Sequence, residues 1–122
     1  MTVDGLEGLR VLLVEDEMLV CMDLEDMLEQ FGCIVVGPAA RVKQALDLIE
    51  REALDIAVLD VNLGTERSYP IADRLSARGV PFLLSTGYAE VEPSYSDRPR
   101  LQKPFSDQQF ARALTDLRAA RS

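Results

Sequence analysis

The sequence predicts an α/β fold, a doubly wound parallel sheet with helices on both faces. Short apolar runs alternate with segments of helical periodicity along the chain. The runs are almost continuously apolar, as parallel strands buried on both faces must be. A length of 122 residues, 48% hydrophobic and 28% charged, suits one soluble domain with a single core system.

The first strand is "LRVLLV" (9–14), after an N-terminal extension, residues 1–7, expected to be disordered. "EDE" follows, then Val20, Leu24, Met27, Leu28 and Phe31 at helical spacing, stopped by Gly32. "CIVVG" (33–37) reads as a second strand closed by Gly37-Pro38. Val42, Ala45, Leu46, Ile49 and Ala53 outline a second helix. "DIAVLD" (55–60) is the third strand. "VNLGTERSY" (61–69) has loop composition, and Pro70 suits the first turn of a third helix that ends at Gly79. "VPFLLS" (80–85) and "RLQ" (100–102) complete five strands. Ser106 with Gln109 makes a capping box ahead of a last helix whose apolar face is Phe110, Leu114 and Leu117.

Composition excludes several classes. A net charge of −8 and a pI near 4.5 oppose a nucleic-acid surface, which needs concentrated Lys and Arg. No apolar run approaches a membrane span, and the N-terminus lacks the order of a signal peptide, so a cytoplasmic protein is expected. Histidine is absent, which removes Ser-His and Cys-His catalysis and any imidazole phosphoryl carrier. Cys21 and Cys33 read as buried free thiols, since two cysteines without histidine make no zinc quartet.

In a sheet of this kind ligands gather outside the carboxyl ends of the strands. Glu15 and Asp16 follow the first strand, Asp60 ends the third, Ser85, Thr86 and Gly87 close the fourth, and Lys103 follows the fifth. Singly, each fits turn or cap chemistry; together they bring three carboxylates, a hydroxyl and an amine to one rim. Two carboxylates about 4 Å apart repel by roughly 4 kcal/mol at an effective dielectric near 20. Three invite a hard divalent cation, and Mg²⁺ suits a site with few protein carboxylates. A carboxylate beside it can act as a nucleophile toward phosphorus.

"LRVLLVEDE", "AVLDVNLG", "LLSTGYA" and "LQKPF", in this order and over nearly the whole chain, are similar to the receiver domains of bacterial two-component response regulators. The resemblance implies a sheet of order 2-1-3-4-5 and a single receiver domain over residues 1–122. It implies that Asp60 accepts a phosphoryl group from a sensor histidine kinase. It also implies that Glu15, Asp16 and Asp60 hold Mg²⁺ with the backbone carbonyl of Asn62. Thr86 matches the hydroxyl that moves to the phosphoryl oxygen, and Lys103 the lysine that contacts it. Lysine is rare here, with only Lys43 and Lys103 among 13 basic residues. A compact ammonium makes the point contact that this role needs, where a guanidinium prefers a fork. Before Pro104 the family often has a cis peptide bond.

Two features depart from the family pattern. Arg100 stands where receivers usually carry an aromatic residue three positions before the lysine. "GYAEVEPSYSDRPRLQ" between Thr86 and Lys103 is short, carries Pro93 and Pro99, and lacks an amphipathic stripe, so the fourth helix is expected to be short or absent. "STGY" and this interval look similar to a single-domain subgroup found largely in alphaproteobacteria. No stretch after Arg118 has a linker's composition, and the expected output is contact with a downstream protein, phosphate buffering or relay through a histidine phosphotransferase. No independent turnover of a small molecule is expected. A phosphatase of the haloacid dehalogenase type would put its nucleophile in D-x-D after the first strand, whereas "DVN" follows the third. A flavodoxin-like flavin site would need a hydroxyl-rich loop where "EDE" stands.

Overall fold

A computed structural model of the chain describes residues 5–87, 92–95 and 97–121, with residues 120 and 121 described by their backbone alone. Strand β1 (Arg10–Val14) leads to helix α1 (Met18–Gln30), β2 (Ile34–Ala39), α2 (Val42–Arg51) and β3 (Ile56–Asp60). A small hairpin of β4 (Asn62–Leu63) and β5 (Glu66–Arg67) precedes α3 (Tyr69–Ala77) and β6 (Phe82–Thr86). A 3₁₀ turn (Pro93–Tyr95), β7 (Arg100–Gln102) and α4 (Asp107–Arg121) complete the chain.

Five parallel strands form one sheet in the order β2-β1-β3-β6-β7, the expected 2-1-3-4-5 once the hairpin is set aside. The central strands β1, β3 and β6 are buried almost throughout, which explains their continuous apolar sequence. Alternate residues feed two cores. Val11, Leu13, Ile56, Val58 and Leu83 pack with Leu24 and Leu28 of α1 and with Phe110, Leu114 and Leu117 of α4. Leu12, Val14, Ala57, Leu59 and Leu84 pack with Ile49 of α2 and with Ile71 and Leu75 of α3. Two helices on each face follow from this alternation, and no helix among the described residues is long and apolar enough to cross a membrane.

Helix boundaries follow local chemistry. Ser106 and Gln109 form the reciprocal capping box, with Gln109 N donating to Ser106 Oγ at 3.1 Å and Ser106 N donating to Gln109 Oε1 at 2.8 Å. Pro70 sits in the first turn of α3.

Four local readings need correction. Strand β2 does not close at Gly37-Pro38 but continues to Ala39, with a register shift against β1 between Leu12 and Val14. Proline is tolerated there because it falls in the register shift of an edge strand, where the regular pairing with β1 is interrupted. Gly37 is needed: its φ is +101°, and a Cβ would stand 3.0 Å from Ala39 N and 3.2 Å from Leu13 O. "VNLGTERSY" holds the β4–β5 hairpin rather than a plain loop, with Leu63, beside its turn, fully buried. The fourth sheet strand begins two residues later than read and takes in Thr86.

The fourth correction is at the N-terminus. Residues 5–7 are not a loose extension: Leu6 is completely buried in the α1/α4 core. Gly8 N donates to Gly32 O at 2.8 Å, and the Cys33 thiol donates to Leu6 O at 3.5 Å. An isolated leucine before the first strand shows no periodicity, so only the tertiary structure reveals its partner. Residues 1–4 of the extension lie outside the described residues.

The described part of the segment expected to be a loop or a single turn holds the 3₁₀ turn, while 88–91 and 96 lie outside the described residues. Its anchor is non-local. The Tyr95 ring stacks on Tyr69 at the start of α3, with centroids 4.4 Å apart and planes 16° apart. Tyr95 O–H donates to Asp73 Oδ1, and Glu92 N donates to Tyr69 Oη at 3.0 Å.

The buried N-terminal leucine makes a stability prediction. Leu6→Ala is expected to lower unfolding free energy by about 2–4 kcal/mol, as for other fully buried leucines. Urea unfolding followed by circular dichroism checks it; an unchanged midpoint would show that Leu6 carries no packing load.

Candidate functional site

Strands β1, β3 and β7 deliver the acidic and basic groups to one rim. Glu15, Asp16 and Asp60 each offer a carboxylate oxygen, and the three oxygens lie within 4.8 Å of one another. Glu15 and Asp60 are buried and Asp16 is exposed. The sheet explains why these residues meet. Val14 pairs with Leu59, so the chain ends of β1 and β3 are level, and the residues that follow project past the same edge.

Lys103 closes the cluster from β7. Its Nζ donates to Glu15 Oε1 at 2.8 Å and lies 3.5 Å from Asp60 Oδ1. The tighter partner is Glu15, a pairing that the sequence reading, centred on Asp60, did not assign. A signal for it exists in the sequence, since a buried glutamate needs a cation and lysine is scarce. Lys103 N also donates to Thr86 O at 2.6 Å, and Lys103-Pro104 is a cis peptide bond.

Thr86, buried as the last residue of β6, thus joins the rim through its backbone carbonyl. The β6 residue in register with Asp60 is Ser85. Asn62 opens β4 two residues beyond Asp60, and its side chain accepts a hydrogen bond from the Arg67 guanidinium. Gly64, at the hairpin turn, has a φ of +68°, a conformation that favours glycine, and it lies beside Asp16. Arg100 is exposed on the edge strand β7.

Electrostatics follow from burial and crowding. Burial first, then the charge of Glu15, pushes the Asp60 carboxyl up to about 7, against the opposing pull of Lys103. Burial would lower the Lys103 ammonium, but its hydrogen bond to Glu15 and the charges of Asp60 and Glu15 outweigh that and hold it above the ordinary lysine value. Among the described residues, one ammonium therefore faces three carboxylates. An all-oxygen set with net negative charge fits a hard cation such as Mg²⁺, with Glu15, Asp16 and Asp60 as the side chains that would hold it. The thiols stand apart from this chemistry. Cys21 and Cys33 are free and buried, and burial pushes both up to about 11.

Comparison with known proteins agrees with this geometry. A family model, the response regulator receiver domain, matches residues 11–115. The transcriptional regulatory protein PdtaR of Mycobacterium tuberculosis is 30% identical over 103 residues, covering 80% of this chain and 50% of its own. The chain spans about half the length of the curated relatives it matches. The solution structure of SdrG from Sphingomonas melonis aligns with a TM-score of 0.82 and 42% identity, over 93% of this chain and 98% of that one. The receiver domain of a sensor histidine kinase from Pseudomonas aeruginosa, solved with a magnesium ion coordinated in its active site cleft, aligns with a TM-score of 0.78 and 26% identity. That alignment covers 92% of this chain and 98% of the other.

The raised Asp60 carboxyl has a consequence for stability in the absence of metal. Between about 3.8, its ordinary value, and about 7, the folded protein keeps a proton that the unfolded chain releases. Stability is therefore greatest below that window and is lost as pH rises through it. Asp60→Asn should stabilise the protein in chelator at about pH 8 by roughly 1–3 kcal/mol, with the gain shrinking toward about pH 5. Urea unfolding at both pH values measures this; an equal effect at both would contradict the origin in ionisation.

Proposed function

The chain belongs to the response regulator receiver domain family, and from that premise we propose that it is a stand-alone phosphoacceptor. It would be charged on Asp60 by a sensor histidine kinase with Mg²⁺ and would signal through protein contact, phosphate buffering or relay through a histidine phosphotransferase. The observation that carries this reading is the meeting of Glu15, Asp16 and Asp60 within 4.8 Å, with Lys103 reaching into the group. Near-complete coverage of SdrG as solved supports a receiver acting without an output domain, as does its likeness to the Thr-Gly subgroup read from "STGY". The acidic surface favours protein partners over nucleic acid, and we place the protein in the cytoplasm with its kinase.

Each residue has a task in the transfer. An oxygen of the Asp60 carboxylate forms the new bond to phosphorus, and the bond from phosphorus to the donor imidazole nitrogen breaks, its electron pair staying on the histidine. These 122 residues hold no histidine, so a donor imidazole must lie outside them. Lys103 Nζ, poised 3.5 Å from Asp60, can leave part of its hold on Glu15 to meet the phosphoryl oxygens. Thr86, tied by its backbone to Lys103, would supply the hydroxyl that follows the phosphoryl group and carries the change into the segment behind it. Bound at Glu15, Asp16, Asp60 and the Asn62 carbonyl, Mg²⁺ would offset the carboxylate repulsion and the phosphoryl charge. This describes a protein that catalyses its own loading and unloading and turns over no separate substrate.

Incubation with acetyl phosphate and Mg²⁺ should add one phosphoryl group by intact mass, and Asp60→Ala should lose it. An undiminished adduct in that variant would overturn the assignment. For the metal, Asp16→Ala should remove Mg²⁺ binding at millimolar concentration while thermal stability in chelator is kept or raised, because one repelling carboxylate is gone. Titration by NMR, with melting curves alongside, gives both readouts. Unchanged affinity would place the cation elsewhere.

A further inference from the structure

Strand β6 brings two hydroxyls to the rim, and the sheet turns them to opposite faces. Val58 pairs with Leu83 and both lie in the α1/α4 core; Leu59 pairs with Leu84 and both lie in the α2/α3 core. Alternation then puts Asp60 and its register partner Ser85 together on the α1/α4 face, and Thr86 with Leu84 on the other. Glu15, two residues past Leu13, and Lys103, two past Leu101, reach the cluster from the same α1/α4 side. Ser85 is 1% exposed, and its hydroxyl has no hydrogen-bond partner among the described residues.

That is an unusual condition, since buried hydroxyls are nearly always satisfied. The preceding residues of the strand, Phe82, Leu83 and Leu84, are all apolar, so burial alone would have been met by another such side chain. A hydroxyl turns freely about its C–O bond and can donate to an acceptor beside it. The neighbour in register is the residue at which acceptor oxygens would change in number and charge.

We propose that Ser85 is a second hydroxyl of the phosphoryl site, donating to the Asp60 carboxyl oxygen that does not carry phosphorus and so hastening loss of the phosphoryl group. The proposal rests on Asp60 as the phosphoacceptor. In hydrolysis a water oxygen bonds to phosphorus and the bond from phosphorus to Asp60 breaks. The electron pair stays on the carboxylate, and the water's protons leave with phosphate and solvent. Negative charge grows on the Asp60 carboxyl during this step, and the free hydroxyl in register with it, turning to donate there, stabilises the transition state more than the ground state. Thr86, on the opposite face, is left to follow the phosphoryl oxygens. The two hydroxyls thus divide the work, one setting lifetime and the other reporting occupancy.

The test uses the whole chain, loaded with acetyl phosphate and Mg²⁺ and then freed of the donor, with decay of the adduct followed by intact mass. Ser85→Ala should lengthen the half-life about 3- to 10-fold, the effect of losing one hydrogen bond. Ser85→Cys keeps the volume but donates weakly, and should match the alanine variant. In chelator without donor, Ser85→Ala should melt at or above wild type, because the hydroxyl it loses had no partner. An unchanged half-life in both variants would overturn the proposal. So would a Ser85→Cys half-life equal to wild type beside a lengthened Ser85→Ala one, which would assign the effect to volume. A clearly lower melting temperature for Ser85→Ala in chelator would show the hydroxyl already bonded elsewhere, and would overturn the proposal equally. Failure of Asp60→Ala to abolish the adduct would remove the underlying phosphoacceptor reading instead, so the two failures are distinguishable.

Discussion

Three carboxylates against one ammonium is the constraint on which the rest of this structure depends. Glu15 and Asp60 are buried, so water cannot screen them, and Lys103 is shared between the two. Such a cluster costs folding free energy, and the sheet must hold it in place against its own repulsion. The architecture does so by seating the charges at the ends of its most buried strands, β1 and β3, each of which has a neighbouring strand on both sides. The hydrophobic packing of two cores, one per face, supplies the stability that the rim gives up. A site held together against repulsion responds to any incoming positive charge or charge-sharing ligand, which is what a switch requires.

The parts of the fold that were legible in the sequence are those written in one dimension. Apolar runs with helical stretches between them gave five sheet strands and four helices, because burial on both faces leaves no other composition for β1, β3 and β6. The capping box at Ser106 and Gln109 was legible for the same reason, its two partners being three residues apart. Position at the end of a strand marked Glu15, Asp16, Asp60, Thr86 and Lys103. The hidden features were all long-range. Leu6 meets its core partners only after the sheet has formed, and the Tyr95–Tyr69 stack joins residues whose local sequences give no hint of each other. The closeness of Lys103 to Glu15 rather than to Asp60 is a matter of less than an ångström, below anything spacing can resolve.

The stretch behind Thr86 shows the same contrast between local and distant causes. Its prolines and its few apolar side chains argue against a regular helix, and the described part holds one 3₁₀ turn. Yet it is not without attachment. Tyr95 sets its ring on Tyr69 and its hydroxyl on Asp73, so the turn is fastened to α3 as well as to its own neighbours. Because α3 follows directly from the β4–β5 hairpin beyond Asp60, the segment after β6 and the loop after β3 share a common support.

The two borders of the sheet carry a further meaning. Strand β2 is crossed by Pro38 within a shifted register, and β7 has only three residues between Pro99 and Pro104. Neither offers a long row of free N–H groups to a neighbouring molecule. A parallel sheet with open borders is a template for stacking copies edge to edge, and a chain held in such polymers would be lost to reversible contact. With both borders blunted, association is left to helices and loops, whose contacts can be made and released. Reversible encounter is in this sense built into the rims of the sheet as firmly as the charge cluster is built into its end.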